Sequence, residues 1–367
     1  MLLALSSLLG APGGIPAFNR LLVRAAAEFA QKRQEPLDVV VLTDDPCGPN
    51  AFADAFPKAV RATYAAFGGN RALFAGLVLR QRRRHSVAVL GHVNLSPLGL
   101  CFRRFGVIAH GTDVWSPLPM ARRLALRRAT VVGGVSEDTL SKVVFVQGVD
   151  RSRCQRLINA LDEVNLERAL RASTVVSTAD ALPLSVGQTD GLRMVAISRL
   201  WKDEPKGIDL LLHGLVHLSH ARLEIVGEGA ARPQLEALAR ALGVAERVHF
   251  AGCLSEEEKH AVLARSDVFA LPSSGEGFGI VYLEAMAHSL PCLAARPGGA
   301  KEVVLDGETG FVVEPQVESI VSGLRRLEDG AVRARLGLAG RRRLLAEYTY
   351  PAFVRHLDAF FARLVPT

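Results

Sequence analysis

The sequence predicts an α/β chain built from doubly wound parallel-sheet domains. With 367 residues at 49% hydrophobic composition, the chain is long enough to form two separate cores. Short Val/Ile/Leu-rich runs alternate with longer amphipathic segments, as when parallel strands are covered by helices on both faces. Within ERALRASTVVSTADALPLSVGQTDG, which ends at Gly191, the periodicity is lost and Ser, Thr, Ala, Pro and Gly accumulate, which marks a connection between domains. The expected organisation is a first domain over residues 1–170, a connection over 171–191 and a second domain over 192–345. A last helical segment over 346–367 is expected to return to the first domain.

The opening MLLALSSLLG has no Lys or Arg before it and runs directly into PGGIP, so it reads as a first strand rather than a leader peptide. Further strands are expected at Val39–Leu42, Val87–Leu90, Val107–Ala109 and Val131–Val135. The clearest helix follows Gly13 and Gly14, with Pro16 in its first turn and Phe18, Leu22, Ala25, Ala26 and Phe29 at helical spacing. In the second half, strands are expected at Met194–Ile197, Leu223–Val226, Val248–Phe250, Val268–Leu271, Cys292–Ala294 and Phe311–Val313, each followed by a helical pattern.

Five scattered cysteines without metal-ligand spacing suggest neither a disulfide framework nor a zinc site, and fit a reducing cytoplasm. No apolar run approaches the roughly 20 residues needed to span a bilayer. The net charge of +7 belongs to the first half. Its clusters at Arg80, Arg82, Arg83 and Arg84, at Arg103 and Arg104, and at Arg122, Arg123, Arg127 and Arg128 are either solvated helix faces or a surface for anionic lipid or a phosphorylated acceptor. A nucleic-acid partner is not expected.

The candidate binding residues lie at the carboxyl ends of the expected strands, where ligands of open α/β sheets gather. In SSGEGFGIVYLEAMAHSLP, Gly275, Gly277 and Gly279 surround Glu276 and Phe278, and Glu284 follows on a helix. The glycines would let backbone N–H groups approach an anion at the helix start. In SRLWKDEPKGID, Arg199 follows a strand and Lys206 stands at the mouth of the next helix, two cations placed to meet one diphosphate. The GEG turn at Gly227 suits either nucleotide approach or a plain tight turn. His110, in RFGVIAHGTDVW, is either a satisfied core histidine or a strand-end functional group. Gly13 and Gly14 would admit a phosphate or sugar, or simply form a strand-to-helix turn.

These segments, together with VVGGVSEDT, LINALD, VHFAGCLSEEE and PGGAKEVVLDGETGFVVEP, resemble glycosyltransferase family 4, the retaining GT-B enzymes, over nearly the whole chain. The resemblance implies two facing Rossmann-like domains with a cleft between them. It further implies transfer of a hexose from a UDP- or GDP-sugar to a glycan or lipid-linked acceptor, in bacterial cell-surface polysaccharide assembly, with retention at the anomeric carbon. By the same resemblance, Arg199 and Lys206 hold the diphosphate and Glu284 the ribose. Glu276 and the N–H groups of Gly277, Phe278 and Gly279 hold the sugar, His110 meets that sugar from the other domain, and the backbone near Leu254 meets the base. Two features depart from the family pattern: the seven-residue separation of Arg199 and Lys206, and Gly133 and Gly134 where bulkier residues are usual. The chain contains no DxD triplet, so no metal and no other cofactor is expected, with cations and helix N-termini serving the leaving group instead. A cytoplasmic location with peripheral contact to the inner face of an anionic membrane fits such an acceptor. The rival readings are a nucleotide-sugar 2-epimerase of similar fold and a non-catalytic scaffold.

Overall fold

The computed structural model describes residues 1–367 other than 11, 12, 47, 48, 58, 60, 61, 176–190, 203, 204, 366 and 367. Most of the expected connection over 171–191 therefore lies outside the described residues. The chain divides into two compact units, one comprising Met1–Ala160 and Tyr350–Thr367, the other Leu161–Thr349.

In the first unit, strands β1 (Leu2–Leu5), β2 (Leu37–Val41), β3 (Ala62–Ala66), β4 (Val87–Leu90), β5 (Arg104–Ala109), β6 (Val131–Gly134) and β7 (Cys154–Arg156) form a parallel sheet in the order β3-β2-β1-β4-β5-β6-β7. The opening LLAL run is thus a fully buried central strand, as its unbroken apolar character requires. The edge strands β3 and β7 add to the strands expected from the sequence. ATYAA is half-exposed and poor in branched residues, and CQR is three residues long and polar, so neither carries the apolar signal that identifies an inner strand. Gly133 and Gly134 lie in register with β5 and β7, and a Cβ at either would overlap Leu157 or Leu140. The small residues serve packing against those leucines.

Helix Gly14–Lys32 buries Phe18, Leu22, Ala25 and Ala26. Helix Tyr350–Leu364 packs beside it in the same unit: Phe353 meets Phe18 edge-on at 5.3 Å, and Tyr350 donates to Glu28 at 3.0 Å while Arg24 stacks on its ring.

The second unit holds β8 (Arg193–Ile197), β9 (Arg222–Val226), β10 (Val248–Gly252), β11 (Val268–Leu271), β12 (Cys292–Ala295) and β13 (Gly310–Val313). They form a parallel sheet ordered β10-β9-β8-β11-β12-β13. Each lies within two residues of the strand expected from the sequence. Helix Glu163–Val175 belongs to this unit and packs against helices Glu256–Ala264 and Ile280–Ala287. In both sheets the winding reverses once, between β1 and β4 and between β8 and β11. Loops diverge above the strand carboxyl ends at such a reversal and leave a crevice there.

Candidate functional site

The reversal in the second unit brings together the turn after β8, which carries Ser198 and Arg199, and the loop after β11, which runs from Pro272 to Gly279. Arg199 is exposed on its turn. That turn is fixed by the GEG segment: Ser198 N–H donates to Val226 O at 3.0 Å, and Leu200 N–H to Glu228 O at 3.0 Å. Gly227 has φ 135°, and a Cβ there would overlap the Ser198 carbonyl. The close approach of two backbones accounts for this glycine without any ligand.

Lys206 is delivered by a second backbone contact. Ser274 N–H donates to Pro205 O at 3.0 Å, and the Ser273 hydroxyl donates to the same carbonyl at 3.2 Å. The Lys206 ammonium thereby meets the Glu276 carboxylate at 3.2 Å, with both side chains mostly shielded from solvent. Glu276 is held from behind, since its carbonyl accepts from Gly299 N–H at 2.7 Å. Gly279 then turns the chain into helix Ile280–Ala287 with φ 89°, a left-handed conformation that a β-carbon disfavours. Gly277, Phe278 and Gly279 are buried, and the Phe278 ring packs edge-on against Tyr348 at 5.8 Å. Only the backbone of Phe278 is thus suited to a polar ligand.

Glu284 forms a second focus. It is buried on helix Ile280–Ala287, and one carboxylate oxygen accepts from Lys259 at 3.0 Å. The other, Oε2, is buried without a hydrogen-bond partner. Burial pushes the Glu284 carboxyl above its ordinary value, and Lys259 opposes that shift. A buried carboxylate oxygen with open acceptor capacity is costly unless a donor such as a ligand hydroxyl arrives. Lys259 itself also binds Glu256 at 2.9 Å. Sequence reasoning missed it because SEEEKHA reads as a solvated helix face. Leu254 is half-buried at the entry to this helix, beside the Ser255–Glu258 capping box.

In the first unit, His110 follows β5. Its Nε2 lies 2.8 Å from the Gly91 carbonyl, and because a carbonyl can only accept, Nε2 carries the proton and Nδ1 is left as the acceptor. The His110 and Gly111 N–H groups donate to the Asp113 carboxylate at 3.0 and 2.8 Å. His92 stacks on the His110 ring at 5.8 Å, and Phe18 meets it edge-on at 5.2 Å. Burial depresses the basicity of His110, an effect Asp113 opposes, so the ring is neutral near pH 7. Gly13 and Gly14 are exposed at the start of helix Gly14–Lys32, and Gly13 has φ 135°. The structure thus joins Lys206 to Glu276 and Glu284 to Lys259, and it places His110 among histidine, aspartate and backbone groups of its own unit.

A sequence model of the family described as "Glycosyl transferases group 1" matches residues 188–343. The chain is 38% identical over 260 residues to a GDP-mannose-dependent alpha-(1-6)-phosphatidylinositol monomannoside mannosyltransferase of Mycolicibacterium smegmatis, a match covering 65% of each protein. To the protein of the same description from Mycobacterium tuberculosis (strain H37Rv) it is 32% identical over 274 residues, 68% of this chain and 67% of that one. Among solved structures, Anabaena HepE in complex with UDP superposes with a TM-score of 0.76 at 17% identity over 99% of both chains. The fold and this relationship define the class, a two-domain GT-B architecture. The chain belongs to the group 1 glycosyltransferase family. Its match to the Mycolicibacterium smegmatis relative spans just under two thirds of that protein's own length. Among the described residues, no helix is long and apolar enough to cross a membrane.

Proposed function

We propose that this chain is a retaining, metal-independent glycosyltransferase that moves a hexose from a nucleotide diphosphate sugar to a hydroxyl of a glycan or lipid-linked acceptor in cell-surface polysaccharide or glycolipid assembly. The observation that carries this reading is the Lys206–Glu276 pair at the β8/β11 reversal. One cation for a departing phosphate and one carboxylate for sugar hydroxyls sit within a single contact, at the glycine-rich loop after β11. Glu284 Oε2 adds an unsatisfied acceptor for a ribose hydroxyl. The names of the mannosyltransferase relatives favour GDP-mannose as the donor and a lipid-borne acceptor. An acceptor of that kind places the reaction at the cytoplasmic face of a membrane, with the protein held there peripherally.

In the transfer, the acceptor hydroxyl oxygen bonds to the anomeric carbon as the bond from that carbon to the phosphate oxygen breaks. The hydroxyl proton passes to the leaving phosphate, giving the glycoside and a nucleoside diphosphate. Arg199 and Lys206 stabilise the charge that accumulates on the departing group. Arg199→Ala and Lys206→Ala are therefore expected to weaken binding of the nucleoside diphosphate by about 1.5–3 kcal/mol, the worth of a charge-assisted contact. The nucleoside alone should bind as before. Calorimetry with GDP, UDP and the bare nucleosides checks this, and equal losses for nucleoside and diphosphate would remove the assignment.

The absence of a DxD triplet motivates a second expectation, that transfer survives excess chelator. Activity abolished by EDTA and restored by Mn²⁺ or Mg²⁺ would count against the metal-free mechanism.

A further inference from the structure

A lysine in the first turn of a helix is ordinarily solvated, and the helix dipole disfavours a cation there. Lys259 of helix Glu256–Ala264 is nevertheless shielded, with 13% of its side chain exposed against 8% for Glu284. The Ser255–Glu258 capping box fixes the start of that helix. From there the Lys259 ammonium donates to Glu256 on its own helix at 3.0 Å and to Glu284 Oε1 on helix Ile280–Ala287 at 3.0 Å. Glu284 Oε2 is buried with no hydrogen-bond partner.

Joining the two helices does not require this lysine. His260 Nδ1 and His288 Nε2 share a hydrogen bond at 2.8 Å across the same two helices, and helix Glu163–Val175 packs against both. Nor does a buried ion pair stabilise much in itself, because desolvating two charges offsets their attraction. A pair kept only for stability would also satisfy both carboxylate oxygens, since an orphaned buried acceptor is costly. What the contact supplies is orientation: with Oε1 tied to Lys259, the carboxylate is held in one setting and Oε2 is its open acceptor. It also supplies charge. Burial raises the Glu284 carboxyl, Glu256 and Asp162 push it the same way, and Lys259 opposes them. Arg168 and Arg341, from the other helices packed here, bear on His260 and His288.

We propose that Lys259 is a positioning residue for nucleotide binding: it holds the Glu284 carboxylate by Oε1 so that Oε2 stands ready to accept from a ribose hydroxyl. The inference rests on the ribose role given to Glu284 in the proposed function and adds to it a residue that acts through Glu284.

The test is calorimetry of the full chain with GDP, UDP and their 2′-deoxy and 3′-deoxy counterparts at pH 7 and pH 9. The wild type is expected to bind the ribose form about tenfold or more tighter than the analogue lacking the hydroxyl that Glu284 takes. In Lys259→Met that ratio should fall to about twofold at pH 7, because the carboxyl without its cation keeps its proton and is free to turn. At pH 9, where Glu284 ionises, part of the ratio should return, while the affinity of the deoxy analogue stays put. Lys259→Arg, which can restore the contact, should retain most of the wild-type ratio. In a Glu284→Gln background, which leaves no buried carboxylate unpaired, adding Lys259→Met should change the ratio no further. A further loss in that background overturns the proposal, as does equal weakening of ribose and deoxyribose ligands at both pH values, since Lys259 would then meet the nucleotide directly or only support the fold. A wild type that discriminates as expected beside a Lys259→Met variant that discriminates equally well removes this inference alone. A wild type that binds neither diphosphate removes the donor reading and this inference with it.

Discussion

His110→Ala and Glu276→Ala are each expected to lower the transfer rate at saturating acceptor by about a hundredfold or more while leaving affinity for the bare nucleoside diphosphate within about 0.5 kcal/mol of wild type. The proposed function assigns both side chains to the sugar, and interactions that strengthen only at the transition state appear in the rate rather than in nucleotide binding. The structure sharpens the expectation for each residue. Nε2 of His110 is committed to Gly91 O, so only Nδ1 remains to accept from a sugar hydroxyl, and the depressed basicity keeps that nitrogen unprotonated. His110→Gln, which can restore a hydrogen bond but not the ring geometry, should recover part of the rate. In Glu276→Ala the Lys206 ammonium loses its carboxylate partner at 3.2 Å and stays available to the diphosphate, so nucleotide affinity should hold or rise slightly. Calorimetry and rate measurements on the same preparations decide the matter. Affinity lost in proportion to rate would reassign the residue to nucleotide binding. Near wild-type rates in both variants would mean that the site lies elsewhere.

The fold was readable wherever burial writes a continuous apolar run. Strands β8, β11, β12 and β13 and β1, β4, β5 and β6 carry such runs, because a strand covered on both faces has no polar side to interrupt the signal, while β9 and the edge strand β10 stay legible through the Leu, Ile, Val and Phe that flank Glu224 and His249. Strands β3 and β7 escaped because an edge strand is paired on one side and half-exposed, so ATYAA and CQR need not be apolar. Helix Glu163–Val175 escaped for a related reason. ERALRASTV shows little contrast between faces, and its packing partners lie about a hundred residues away in sequence.

At the candidate site, position along the chain was readable but partnership was not. The EGFG loop and Lys206 could be placed at strand ends from pattern alone. That Glu276 would take Lys206 as its partner depends on Pro205 receiving Ser273 and Ser274 across the two loops, a long-range contact that local sequence does not encode. The pairing of Lys259 with Glu284 was hidden in the same way. The GEG turn shows the converse. Its glycines were legible as a special backbone position, but the Ser198 carbonyl supplies a steric reason for Gly227 that sequence could not separate from nucleotide approach.

Acid should destabilise the protein well before its carboxylates protonate. Burial holds five histidines below their ordinary basicity: His288, down to about 3, His92, down to about 4, and His85, His110 and His260, all lowered. Other groups modulate these values. Asp113 opposes the shift at His92, where His110 and Arg122 reinforce it. Lys259 and Arg168 reinforce it at His260, against Glu256 and Glu257, while His260 and Arg341 reinforce it at His288. His260 Nδ1 and His288 Nε2 share one hydrogen bond at 2.8 Å, so protonating both rings would set two donors against each other. Each folded-state value lies below the unfolded value near 6.5. Above that pH neither state binds the proton; below it the unfolded chain takes up a proton that the folded chain refuses. Stability therefore falls as pH drops below about 6.5, by up to about 1.4 kcal/mol per unit for each of these histidines until its own folded-state value is reached, which for His288 and His92 lies at about 3 and about 4. Glu284, whose carboxyl is raised by burial, acts in the opposite sense. Against a total stability of roughly 5–15 kcal/mol, a loss of this kind is large enough to lower the unfolding midpoint measurably between pH 7 and 5. Urea denaturation at pH 7, 6 and 5, followed by circular dichroism, should show the midpoint falling through this range. His288→Asn keeps a polar group at the position but removes its titration, so its midpoint should fall less steeply. A flat midpoint between pH 7 and 5, or an identical slope in His288→Asn, would show that these rings are as basic in the folded protein as in the unfolded chain.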